Sequence, residues 1–217
     1  MRIALFDFDG TLCPGDSIVP YLRFCIRKGF APPTQWFRAA GGYLHQRLHP
    51  DSVSEAKAES LSFIRGREKA EMDGIAEQFI GECLQPRFYS EGIETMQRLR
   101  GEGLKVILLS ASASVYMDKM IDFLQVDAVI STQCELDSHN RYTGAVGPNC
   151  RDEEKLRRLH AWANGQELEI VTAFGDSAHD IPMLAQAEKP VWVNPSSTLT
   201  GQVQGEIVRW KRGRNQV

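Results

Sequence analysis

The sequence predicts an α/β protein built on a doubly wound parallel sheet, with a block of helices inserted after the first strand. Three observations carry this. Residues 2–6, Arg-Ile-Ala-Leu-Phe, are a short apolar run of the kind that forms a strand buried on both faces. Beyond Pro86, strand-like and helix-like segments alternate, and right-handed crossovers between parallel strands put helices on both faces of such a sheet. Between these parts, from about residue 17 to 84, the pattern is helical throughout.

The elements follow in order. The first strand stops at acidic residues and Gly10, which places carboxylates at its C-terminal end. Helices are expected over 18–27 and over 34–48, separated by the Pro32-Pro33 break. A third begins after Asp51, where Ser52 and Glu55 have capping-box spacing, and a fourth runs over 68–83. The alternating part starts with a helix over 90–100, then Gly101 and Gly103, then a strand over 105–109. A helix over 114–125 and a strand over 128–131 follow, then a hairpin turning at Asn140. The chain continues as helix 152–162, strand 169–174 ending at Gly175-Asp176, a helix over 181–187 and a strand over 191–193.

Composition narrows the class of function. Hydrophobic residues are 42% and charged residues 24% of the 217, ordinary values for a folded globular chain. The net charge of −3 offers no global attraction to nucleic acid, so a nucleic-acid partner is not expected. A basic run, Arg209, Lys211, Arg212 and Arg214, reads as a solvated tail or as a membrane-surface or phosphate contact. Five scattered cysteines without a CxxC pair give neither a disulfide framework nor a zinc site, and read as reduced thiols of a cytoplasmic protein. No apolar run reaches the roughly 18 residues of a spanning helix, so no integral membrane segment is expected.

Doubly wound sheets bind ligands beyond the C-terminal ends of their strands, where the strand order reverses. Three polar clusters lie at three such ends: 7–11, 110–112 and 175–180. Asp7 and Asp9 are two residues apart, so in a regular strand they share a side, and Gly10 allows a sharp turn beyond them. Paired carboxylates are costly without a cation or a shared proton. The same pair also reads as a turn cap or a solvated edge. Ser110 follows an apolar strand and precedes a predicted helix, where its hydroxyl and neighbouring N–H groups suit a phosphoryl oxygen, or where it simply caps the helix. Asp176 and Asp180 add carboxylates, and several carboxylates without a His or Cys cluster point to a hard cation such as Mg2+. Lys155 is the best further source of positive charge, although a lysine on a charged helix also reads as solvated.

The stretches DFDGTL from Asp7, LLSAS to Ser112, CRDEEKLRRL around Lys155 and GDSAHDIPML from Gly175 resemble, in that order, the four motifs of the haloacid dehalogenase (HAD) superfamily of aspartyl-phosphate-forming phosphatases. The helical block resembles the cap of the subgroup that includes phosphoserine phosphatases, subfamily IB with a helical C1 cap. This implies a Rossmann-like, HAD-like core over 1–15 and 86–217 and a helical-bundle cap over 16–85. It implies Asp7 as nucleophile and Asp9 as the acid, then the base. Ser110, Ala111, Lys155, Gly10 and Thr11 would bind phosphate. Asp7, Asp176 and the backbone carbonyl of Asp9 would bind Mg2+, with Asp180 in support. The expected reaction is hydrolysis of a small organic phosphate monoester, a small phosphorylated metabolite. The rivals are a phosphotransferase or mutase using the same aspartyl-phosphate, and a phosphate-binding module without turnover.

The resemblance is thinner in the cap, where substrate choice resides. Asp16 falls near the glutamate that reads the substrate amine in phosphoserine phosphatases, or else caps the helix at 18. The arginine that reads the substrate carboxylate would fall near Ser60, with Lys57 and Arg65 the nearest cations. His179 reads either as a substrate contact or as a surface residue. Tyr21, Phe24, Trp36, Phe37 and Tyr43 are expected mostly in the cap core, and any of them lining the cleft would suit a bulkier, more apolar ester.

Overall fold

In the computed structural model, which describes residues 1–201 and 203–211, β1 (Arg2–Phe6) is the hinge of the topology. Six strands form one sheet in the order β3-β2-β1-β6-β7-β8, and every neighbouring pair is parallel. Here β2 is Lys105–Ala113, β3 Ala128–Thr132, β6 Glu169–Gly175, β7 Lys189–Val193 and β8 Glu206–Val208. From β1 the chain builds outward to β2 and β3 on one side, and β6, β7 and β8 occupy the other. The strand order therefore reverses beside β1, the place where such sheets open a crevice.

Alternation along β1 explains why the sheet is covered twice. Ile3 and Leu5 join a core cluster on one face with Ile107, Leu109 and Leu159, while Ala4 and Phe6 join the cluster on the other face. Helix α8 (Glu153–Ala163) and α9 (Ile181–Ala185) supply the first of these, through Leu159 and through Met183 and Leu184. Helix α5 (Ser90–Gly101) supplies Met96 and Leu99 to the second.

The helical block comprises α1 (Ile18–Arg27), α2 (Gln35–Leu48), α3 (Val53–Ser60) and α4 (Lys69–Phe79). Its members are anchored unequally. Tyr21 of α1 and Phe79 of α4 meet Tyr116 in tilted and edge-on contacts, and Phe24 of α1 packs on Phe79, within the cluster that also holds Phe6 and Phe8. Helix α2 instead buries only Gln35 and Gly42. A Cβ on Gly42 would meet the Ala56 carbonyl oxygen at 3.0 Å, so glycine permits the close approach to α3, and the Gln35 amide donates to the Glu59 and Ser60 carbonyls at its end. A hairpin of β4 (Cys134–Leu136) and β5 (Tyr142–Val146) ties down the block, since Tyr142 exchanges backbone hydrogen bonds with Gly66 and Arg67.

Several expectations are corrected. The capping box at Ser52 and Glu55 does not form; the Ser52 hydroxyl donates back to the His49 carbonyl at 2.7 Å. The fourth helix stops at Phe79 and widens into a π-turn over Ile80–Leu84. The second strand runs on to Ala113, so Ser110 lies within it and not at a helix N-terminus. The segment expected as one helix over 114–125 is two short ones, α6 (Ser114–Met117) and α7 (Met120–Leu124). Trp36, Phe37 and Tyr43 are exposed and not in a cap core. The hairpin does turn at Asn140, whose φ of 57° lies in the left-handed region that asparagine tolerates. Of the basic run, Arg209 donates to the Pro195 carbonyl, while Arg212 and Arg214 lie outside the described residues.

Candidate active site

The C-terminal ends of β1, β2 and β6 are adjacent in the sheet, so the three polar clusters meet. Lys155 on α8 joins them. Its ammonium donates to Asp7 Oδ1 at 2.5 Å and to Asp180 Oδ1 at 2.6 Å, and it is 2% exposed. Burial works against that charge, but Asp7 and Asp180 outweigh it and hold the Lys155 pKa above the usual lysine range. Burial also opposes the Asp180 anion, yet Lys155 and the donors of Ser177 hold its carboxyl below the ordinary carboxylate value.

The other carboxylates are pushed the opposite way. Asp7 is raised to about 6, by burial first and against the pull of Lys155. Asp176 is raised to about 8 by burial and by the charges of Asp7 and Asp180. Three carboxylates with one ammonium leave the cluster short of positive charge. Oxygen atoms of Asp7, Asp176 and Asp180 lie within 4.8 Å of one another, a spacing one cation can bridge. Both Asp180 oxygens are already committed to Lys155, Ser177 and the Asp176 N–H. Asp7 and Asp176 are thus the freer ligands, and hard carboxylate oxygens short of positive charge fit Mg2+.

Gly10 and Thr11 lie beside the carboxylates. The Gly10 N–H donates to the Cys13 carbonyl at 2.6 Å, and Thr11 Oγ1 stands 3.4 Å from both Asp7 Oδ2 and Asp176 Oδ1. Both residues, expected to bind phosphate, also lie against the carboxylates: a Cβ on Gly10 would fall 2.1 Å from Asp176 Oδ2, and its φ of +86° suits glycine. Ser110 and Ala111 do line the cleft. Ser110 Oγ accepts the Ser112 N–H at 3.0 Å, and the Ala111 carbonyl accepts from Lys57 Nζ and Thr132 Oγ1.

Asp9 has surroundings that sequence reasoning missed. Its Oδ2 accepts from Ser112 Oγ and, at 3.0 Å, from Ser17 Oγ, which also meets Tyr116 OH at 3.0 Å. Its Oδ1 is buried with no partner among the described residues. Burial raises the Asp9 pKa to about 8, the charge of Asp16 adds to it, and the Ser112 hydrogen bond pulls against it. An oxygen that is buried and free of donors is a good place for a proton. Ser112 was visible as part of its cluster; nothing in the chain pattern marks Ser17 or Tyr116.

Asp16 Oδ1 accepts the Ile18 N–H at 2.8 Å, the capping contact, and the residue also borders the cleft. His179 borders it too, half exposed and bonded to Asp152 at 2.8 Å. Lys57 is the cap lysine at the cleft, but its ammonium is taken by Ala111, Asn149 and Thr132. Burial lowers its pKa to about 8. Arg65 packs near Gly144 instead. The cleft holds about 590 Å³, and its outer wall is apolar, from Ile18, Val19 and Leu22 across to Trp36 and Tyr43.

A profile of haloacid dehalogenase-like hydrolases matches residues 4–185. The chain belongs to that family. This HAD hydrolase is 26% identical over 212 residues to a histidinol-phosphatase of Neisseria meningitidis serogroup C, covering 91% of this chain and 92% of that one. It is 25% identical over 207 residues to a phosphoserine phosphatase of Mycobacterium tuberculosis, covering 90% and 66%. A crystal structure of a Bordetella pertussis protein of unknown function superposes with a TM-score of 0.82 at 25% identity, over 95% of this chain and 97% of that one. Family membership and relatives named as phosphatases support phosphatase activity for this HAD hydrolase. No described helix is long and apolar enough to cross a membrane.

Proposed function

We propose that the chain hydrolyses an organic phosphate monoester through a covalent phosphate on Asp7. The observation that carries this is the contrast between two neighbouring carboxylates: Asp7 is held by Lys155, while Asp9 has a donor-free buried oxygen. A nucleophile must be anionic and a leaving-group acid must be protonated, and these surroundings sort the two roles.

In the first step an Asp7 oxygen attacks phosphorus, the ester P–O bond breaks, and the departing oxygen takes the proton of Asp9. In the second, water attacks the same phosphorus while giving a proton to the Asp9 carboxylate. The P–O bond to Asp7 then breaks, releasing inorganic phosphate. Lys155 and Ser110 face the phosphoryl oxygens, and Asp180 keeps the lysine in place. Asp7 and Asp176, with the Asp9 carbonyl, would hold Mg2+, which when bound neutralises phosphoryl charge. Residues 16–85 act as the cap, α1 and α2 walling the cleft where the organic group lies.

The test is phosphate release from a chromogenic phosphate ester without an added acceptor, with magnesium and with chelator, by the wild type and Asp7→Asn. Release is expected to require magnesium and to fall at least about a thousandfold in Asp7→Asn. Acid-quenched wild type should carry phosphate on Asp7 by mass spectrometry. Chelator-resistant turnover, or turnover by Asp7→Asn, would remove the assignment. Release only when a second alcohol is supplied would make the chain a phosphotransferase.

A further inference from the structure

Helix α2 contradicts the usual economy of a folded chain. It has fourteen residues, five of them large and apolar or aromatic, and none of those five is buried. Phe37, Leu44 and Leu48 are 80%, 61% and 70% exposed, and their spacing of seven and four puts them on one face. Trp36 and Tyr43, each one position earlier, line the active-site cleft. The cleft wall and the outer stripe are therefore continuous around the helix. Val19 of α1, also exposed, faces them from the other wall.

Charge is distributed to match. Residues 17–50 hold five of the chain's 25 lysines and arginines and none of its 28 aspartates and glutamates, although the whole chain carries −3. All five, Arg23, Arg27, Lys28, Arg38 and Arg47, are exposed. Glu82 meets Arg27 and Lys28, and Glu59 stands 3.8 Å from Arg38, but Arg23 and Arg47 meet no carboxylate among the described residues. A hollow of about 280 Å³ beside Val19 is lined by Arg23, Arg27 and Arg87.

We propose that the α1–α2 face seats on an anionic bilayer and that the phosphate ester drawn into the cleft carries a long apolar chain. The second half rests on the phosphatase reading above. Exposed aromatic and leucine side chains beside unpaired arginines suit the boundary between acyl chains and anionic headgroups. A second copy of the chain fits less well, because the face would set the uncompensated charges of Arg23 and Arg47 against themselves, and residues 17–50 hold no acid to meet them. With the phosphoryl group beside Lys155 and Ser110, the organic part leaves past Trp36 and Tyr43, toward the apolar stripe.

The test floats the full chain with vesicles of phosphatidylcholine alone and of phosphatidylcholine with one quarter phosphatidylglycerol. Binding is expected to the anionic vesicles only, about fivefold weaker in Arg47→Gln, the share of one surface charge. It should be about a hundredfold weaker in the double variant Phe37→Ser, Leu44→Ser, whose side chains are solvent-facing. Phosphatidate within anionic vesicles should lose hydrolysis in that double variant, while a soluble chromogenic ester is hydrolysed at the wild-type rate. Equal binding to neutral vesicles, no binding, or binding unchanged in the double variant overturns the docking surface. A dimer in sedimentation that the double variant dissociates assigns the face to a second copy and also overturns it. If vesicles bind as expected but neither ester is turned over with magnesium, the phosphatase reading and the substrate half fail while the surface stands.

Discussion

Lys155 donates to Asp7 Oδ1 at 2.5 Å across 148 positions of sequence, and the same ammonium reaches Asp180 at 2.6 Å. One buried cation thus holds the candidate nucleophile and orients itself through a second carboxylate. In Lys155→Met two buried carboxylates lose their partner, which typically costs about 3–5 kcal/mol. Urea unfolding in chelator should show that loss at neutral pH, and phosphate release should fall by at least about a thousandfold. Unfolding curves that superpose on the wild type would show that the pair contributes nothing to the fold.

The acid role of Asp9 gives a pH signature. With its pKa raised to about 8, Asp9 is protonated at neutral pH, and release from a poor leaving group should decline as pH rises through that value. Donation from Ser112 stabilises the anion, so Ser112→Ala should move the declining limb to higher pH. Esters with good leaving groups need little protonation and should show a weaker limb. A limb that stays in place in Ser112→Ala would assign it to another group.

Gly10 separates close approach from backbone conformation. Gly10→Ala places a Cβ 2.1 Å from Asp176, whereas Gly29→Ala, at a similar φ of +78°, meets nothing within 4 Å. Both should lose about 1–2 kcal/mol from the left-handed backbone. Gly10→Ala alone should displace Asp176, raising the magnesium concentration for half-maximal phosphate release. Equal magnesium dependence in the two variants would detach Asp176 from the metal.

Glu154 tests stability in acid. Its bonds to Arg157 and Arg158 depress its pKa from 4.5 to about 2. A carboxylate depressed in the folded state stabilises the fold above the unfolded pKa, and that contribution drains away as pH falls from 4.5 toward 2. Thermal unfolding of Glu154→Gln should be less stable than wild type at pH 6, with the two converging toward pH 2. A constant gap across that range would exclude linkage through Glu154.

Much of the site is legible in the chain's local pattern. Asp7, Asp9, Ser110, Asp176 and Asp180 each follow an apolar run, and in a parallel sheet the ends of such runs lie on one edge. That rule, with the order of the four motifs, brings Lys155 to the same place. The extension of β2 through Ser110 is not legible there, because polar residues interrupt the hydrophobic pattern while the β3 ladder continues beside them. The Ser17–Tyr116 support of Asp9 joins hydroxyls 99 positions apart, and no local period encodes such a contact.

By itself the sequence determined the sheet, the helical block and the carboxylates at the strand ends, because each is written in a local period or a strand boundary. Only the tertiary structure decided which apolar faces find a partner. Phe24 and Phe37 both sit on helices of the inserted block, yet one is buried in the core and the other stands 80% exposed. Periodicity tells which side of a helix is apolar; whether anything covers that side depends on elements distant in the chain, here the core beneath α1 and, among the described residues, its absence over the outer stripe of α2.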